Sequence, residues 1–158
     1  MFKIGDKVVY PMHGAGKVVA VQRQEVLGEV EDYFVISLSN DLKMMVPVSC
    51  AEEVGLRDII SKNEVVKVFE ILETDMAEMS QNWNKRYRAN MERIKSGDIF
   101  EVADVVKNLM LLDSHKGLST GEKRLLNTAK QMLTSEIVLV TNRSEDEVED
   151  RLEKIVNG

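Results

Sequence analysis

The feature that most constrains this chain is a change of period near residue 60. Before it, "KVVYP", "KVVAVQ", "EDYFVISLS" and "KMMVPV" are short runs rich in β-branched and aromatic residues. Turn chemistry separates them: "HGAG" at 13–16, Gly28 with Glu29, and "SND" at 39–41. Both prolines, Pro11 and Pro47, fall in this half beside strand ends, where a missing N–H matters least. Four or five such strands in about 50 residues suit a small barrel or strongly bent sheet, not a large sandwich. After residue 61 there is no proline, and apolar residues recur at three- and four-residue steps. The expected architecture is therefore α+β, a small β-barrel followed by an all-α bundle.

Local signals place the helices. Ser61 and Glu64 have capping-box spacing before a face of Val65, Val68, Phe69 and Leu72. A second helix over about 80–95 aligns Trp83, Tyr87, Met91 and Ile94, and "SGD" at 96–98 ends it. Asp98 is an N-cap with Glu101 three residues on, opening a third helix to about 113 through Val102, Val105, Val106 and Leu109. Gly117 suits a left-handed helix end, and Ser119 with Glu122 starts a fourth helix to about 140. Ser144 with Glu147 starts a short final one bearing Val148, Leu152 and Ile155. The expected division is a β domain over 1–60 and a helical domain over 61–158, with an acidic tail from about 141.

Several function classes drop out. No apolar run approaches the roughly 18 residues of a membrane span, so no membrane partner is expected. The start, "MFKIGDKVVY", lacks a signal peptide's apolar core, and the single Cys50 forms no internal disulfide; both fit a reducing cytoplasm. "HGAGKVV" is no phosphate loop, because Pro11 and Val18 stand where glycine and Ser/Thr are needed. His13, His115 and Cys50 have no zinc-ligand spacing. No nucleophile and base can be paired. An enzyme, a cofactor, a metal site and a small-molecule ligand are all not expected.

The only tryptophan sits in "QNWNKRYRAN". Residues 80–96 carry Lys85, Arg86, Arg88, Arg93 and Lys95 against Glu92 alone, a local +4 in a chain of net −6. Two readings of Trp83 stand side by side. In one it is a core residue at the head of the Trp83–Tyr87–Met91–Ile94 stripe, and the cations are its wet flank. In the other the ring is exposed near the start of its helix, beside phosphate-seeking cations, and stacks on a base or wedges between base steps. Lys123 and Arg124, near the start of the fourth helix, add charge at an end whose backbone N–H groups attract phosphate. Affinity resting on so few cations should be weak and salt-sensitive.

The stretches "GDKVVYPMHGAG", "YFVISL", "VPV", "VGLRDII", "NWNKRYRANMERIKSGD", "VADVVKNL" and "LSTGEKRLLNTAKQML" together resemble the CarD/CdnL family of bacterial transcription regulators, to about residue 140. The resemblance implies that 1–60 is a Tudor- or SH3-like module docking on the RNA polymerase β subunit. It implies that the helical part contacts promoter DNA in the minor groove, at the upstream edge of the melted region, and stabilises the open complex without catalysis. Trp83 matches the family's wedge, and Lys85, Arg86 and Arg88 its phosphate contacts, with Lys123 and Arg124 approaching the same DNA. The polymerase face would include Gln24 and the "KMMV" strand with Met44, Met45 and Val46, docking by apolar contact and edge pairing. The expected location is the cytoplasm, on the nucleoid through RNA polymerase. The alternative is a protein–protein adaptor with no DNA contact, in which Trp83 is buried.

Overall fold

A computed structural model describes residues 1–39 and 41–158. Among these residues the N-terminal half forms strands β1 (Lys7–Tyr10), β2 (Gly14–Val26), β3 (Glu29–Leu38), β4 (Lys43–Pro47) and β5 (Arg57–Asp58). They pair antiparallel in the order β4-β3-β2-β1-β5. The sheet bends around Val8, Val18, Phe34, Ile36 and Val46, helped by a register shift between Val18 and Ala20. The expected barrel is thus an open one, because β4 and β5 lie at opposite edges of the sheet.

Two turns differ from expectation, and each has a physical reason. The first tight turn is 11–13, and the glycines of "HGAG" lie inside β2. A Cβ on Gly16 would stand 2.3 Å from the carbonyl oxygen of Ser37. Gly16 is therefore required by the approach of the β3 backbone and not by a turn. The second hairpin turns at Leu27 and Gly28, with φ of 53° and 82°, and Glu29 already belongs to β3. Two positive φ values match the twist of the flanking strands, which is why a leucine adopts one here. The turn expected at 39–41 includes Asn40, which lies outside the described residues.

The second half forms α1 (Lys62–Leu72), α2 (Trp83–Lys95), α3 (Ile99–Lys116), α4 (Thr120–Thr141) and α5 (Glu145–Asn157). Ser61, Asp98, Ser119 and Ser144 are N-caps as expected, and Asn82 caps α2 by accepting from Lys85 N at 3.1 Å. α3 and α4 are the central pair, buried through residues such as Val102, Val106, Leu109, Leu125, Leu133 and Ile137. The acidic segment read as a tail is part of this bundle: Val148 and Leu152 of α5 are buried in the same core. Arg151 lies over the Phe69 ring of α1, 4.6 Å from its centroid.

A polar seam joins sheet to bundle. Glu136 of α4 has no exposed surface; its carboxylate accepts from Arg57 Nη1 and Nη2, both at 2.8 Å, and from Ile60 N at 2.8 Å. Arg57 Nε donates to the carbonyl of Gly97 at 3.0 Å. Ala15 N donates to Ser135 Oγ at 2.9 Å, and Lys7 Nζ to the carbonyl of Leu139 at 3.1 Å. Ala15, Lys7, Arg57 and Ile60 are thereby tied to α4, and Arg57 also to the carbonyl between α2 and α3.

Candidate nucleic-acid interface

α2 starts at the bundle surface and ends in its core. Ile94 is fully buried, Met91 and Tyr87 are half-buried, and Trp83, the first residue of the helix, is 42% exposed. The helical stripe expected from sequence therefore runs off the edge of the bundle, and Trp83 lies where it emerges. Its indole is packed on one side. The ring stacks on Tyr87 with centroids 5.2 Å apart and 18° between planes. Nε1 donates to Ser119 Oγ at 2.7 Å. Gly121 lies against the ring edge, since a Cβ there would sit 3.3 Å from Cζ2.

The cations divide into two kinds. Arg86 is expected beside the exposed ring but faces inward: Nε and Nη2 donate to Glu122 of α4 at 2.7 and 2.9 Å, and Nη1 to the Ser80 carbonyl at 3.2 Å. Its side chain is 15% exposed and that of Glu122 2%, so this guanidinium fastens α2 to α4. Arg93 likewise pairs with Glu101 and Asp104 of α3. Lys85, Arg88, Lys123 and Arg124 are exposed, and among the described residues no ion pair holds any of them. With Arg86 and Arg93 paired, the exposed cations of this region are Lys85, Arg88 and Lys95 of α2, with Lys123 and Arg124 early in α4. The N-termini of α2 and α4 converge at the same place, because Ser119 is the N-cap of α4. α2 has no acidic residue in its first turn to offset that positive end.

The comparisons with known proteins cover both halves. Residues 67–153 match the sequence model described as "CarD, C-terminal domain", and residues 2–60 match "CarD-like/TRCF RID domain". This chain belongs to the CarD family. A relative in Bacillus subtilis (strain 168), named "Putative transcription factor YdeB", is 36% identical over 152 residues, covering 94% of this chain and 97% of that protein. The CarD C-terminal match extends through Leu152 of α5, beyond the point near residue 140 where the resemblance was expected to end.

In this CarD-family chain the strand residues expected on the second face are not equivalent. Gln24 is exposed on the β2–β3 hairpin, and Met45 is 43% exposed on the edge strand β4. Met44 is half-buried, and Val46 is 1% exposed with its side chain in the sheet core, so the "KMMV" strand is not exposed throughout. Side chains alternate across a strand, which separates Met45 from Val46. Tyr87 lies on the expected stripe; the residues that sequence reasoning missed are Ser119, which holds the Trp83 ring, and Glu122, which binds Ser119 and Arg86. Ser119 and Glu122 carried a signal, their capping-box spacing, but that accounts only for the helix start.

Glu122 and Asp104 link this packing to pH. The hydrogen bonds from Arg86 hold the Glu122 carboxyl below its ordinary range, against the opposing effect of burial. Burial pushes Asp104 up, but hydrogen bonds from Lys107 and Arg93 outweigh it, and its net shift is also downward. A carboxyl depressed in the folded state contributes stability that is complete above its unfolded pKa and lost as pH falls through the folded one. Thermal stability is expected to hold from neutral pH down to about 5 and to fall below about pH 4. In Glu122→Gln the acid limb should be shallower and the neutral-pH midpoint lower. An unchanged acid limb in thermal melts between pH 3 and 7 would remove Glu122 from this account.

Proposed function

We propose that this protein is a transcription regulator that binds RNA polymerase through its β half and steadies the open promoter complex through Trp83. The polymerase partner is its β subunit, reached by Met45 and the unpaired edge of β4, with Gln24 on the neighbouring hairpin. The DNA partner is the upstream edge of the melted region, approached from the minor groove. The observation that carries this reading is the Trp83 ring, 42% exposed at a helix start, with the exposed cations Lys85 and Arg88 on the same helix and Lys123 and Arg124 early in α4, whose N-cap Ser119 holds the ring. The adaptor alternative needs that ring buried. Basic side chains at a helix N-terminus oppose the helix dipole by about 0.3–1 kcal/mol each, and a phosphate there would reverse the sign. Membership of the CarD family and the name of the Bacillus relative support the transcriptional role.

The mechanism is binding, with no chemical step. Docking on polymerase makes the DNA contact intramolecular, so a weak, salt-sensitive DNA surface suffices. A ring that binds the melted junction better than closed duplex shifts the equilibrium by that difference alone. A preference of about 1.4 kcal/mol changes the open-to-closed ratio about tenfold. The working location is the cytoplasm, on the nucleoid with polymerase. The deciding experiment is the lifetime of open complexes formed by cognate polymerase with no addition, with wild type, and with Trp83→Ala. Wild type should lengthen the lifetime and Trp83→Ala should lose most of that gain, with its fold intact by circular dichroism. A gain that survives the substitution would make Trp83 a packing residue.

A further inference from the structure

We propose that Ser119 and Gly121, at the start of α4, are positioning residues that fix the direction in which Trp83 presents its ring. This rests on the reading of Trp83 as the DNA-contacting group. The Ser119 hydroxyl is fully used. It accepts from Trp83 Nε1 at 2.7 Å and from Glu122 N at 3.2 Å, and donates to Glu122 Oε1 at 3.3 Å. One oxygen therefore both caps α4 and holds the indole. One turn along α2, Arg86 clasps Glu122, so the two helix starts cannot slide apart without breaking two charged hydrogen bonds. Gly121 completes the seat: a methyl there would press on the ring edge, 3.3 Å from Trp83 Cζ2 and 3.7 Å from Tyr87 Cε2.

Two consequences follow from how the ring is held. A tryptophan at the first residue of a helix, with 42% of its surface exposed, would otherwise sample several rotamers, and holding it beforehand removes that ordering from the binding step. Tyr87 covers one face, so a base can meet only the other face and the free edge. The indole N–H is already committed to Ser119 and has no hydrogen to offer the acceptors on the minor-groove floor. The contact is thus made by shape and stacking, and it tolerates different bases.

The test uses the full chain, in which Trp83 is the only tryptophan and the sole source of indole fluorescence. Ser119→Gly removes the hydroxyl but keeps an acceptable N-cap. Gly121→Ala favours the helix while crowding the ring. Each is read by acrylamide quenching of the free protein, by thermal midpoint, and by open-complex lifetime, beside Ser119→Thr and Trp83→Ala. For Ser119→Gly we expect stronger quenching, a nearly unchanged midpoint, and a wild-type lifetime gain reduced about fivefold, the size of one lost net hydrogen bond. Ser119→Thr should restore both quenching and lifetime, and Gly121→Ala should move them in the same direction as Ser119→Gly. Several results would overturn the proposal while leaving the DNA reading intact, provided Trp83→Ala abolishes the gain. These are unchanged quenching in both variants, altered quenching with unaltered lifetime, or a lifetime loss without altered quenching. If Trp83→Ala keeps the gain, the DNA reading falls and this proposal with it.

Discussion

Replacing Arg57 by leucine is expected to destabilise the protein by about 3–5 kcal/mol, the usual effect of removing one partner from a buried ion pair. The asymmetry of the pair sets the sign of the argument. Glu136 has no exposed side-chain surface, whereas Arg57 is 29% exposed and can be rehydrated. Removing the arginine therefore leaves a buried carboxylate with one remaining donor, Ile60 N at 2.8 Å. Removing the glutamate frees an arginine that still reaches water and leaves one part-buried N–H, that of Ile60, without this partner, so Glu136→Leu should be milder than Arg57→Leu. The double variant Arg57→Leu/Glu136→Leu should recover part of the loss, because two apolar side chains suit a buried site better than one unpaired charge. It should not recover all of it, since Ile60 N and the Gly97 carbonyl both lose partners. Urea unfolding at pH 7, with midpoints compared at constant m-value, checks all three variants. A loss below about 1 kcal/mol for Arg57→Leu would mean that Glu136 finds other partners, such as water, in the folded variant.

Leu152→Ala is expected to lower stability by about 2–5 kcal/mol, the range for deleting a buried leucine side chain. Leu152 has no exposed surface, and Val148 one turn earlier is 2% exposed, so α5 buries an apolar face in the bundle core. Glu149→Ala, on the exposed side of the same helix, should stay within about 0.5 kcal/mol and serves as the control. Equal and small effects from the two would return α5 to the status of an acidic appendage.

What could be read in advance was what local physics determines. The helix starts at Ser61, Asp98, Ser119 and Ser144 follow from a side chain and a backbone N–H two or three residues apart. The strands follow from runs of β-branched and aromatic residues. Where the deciding partner is distant in sequence, local pattern does not name it. Gly16 looks like turn chemistry until the Ser37 carbonyl closes on it from β3. Arg86 and Arg88 are indistinguishable in sequence, and only Glu122, 36 residues beyond Arg86, separates the fastened cation from the free one. Glu122 was already accounted for by its spacing from Ser119, and that sufficient local explanation concealed the cross-helix pair. Glu136 interrupts an apolar run without announcing that Arg57, 79 residues earlier, neutralises it. The stripe through Trp83 was legible, but the point at which it leaves the bundle depends on where α4 begins beside it.

The seam made by Arg57, Glu136, Ser135 and Ala15 ties β2 and β5 of the sheet to α4, the helix whose N-cap holds Trp83. Under the proposed function the span from polymerase to DNA is therefore set before either partner arrives. A molecule built this way is a gauge. On that proposal it would respond to where the melted edge lies, measured from the polymerase surface, and an altered spacing would strain the seam. With its indole N–H committed to Ser119, a ring proposed to meet the bases would register position and leave sequence to others.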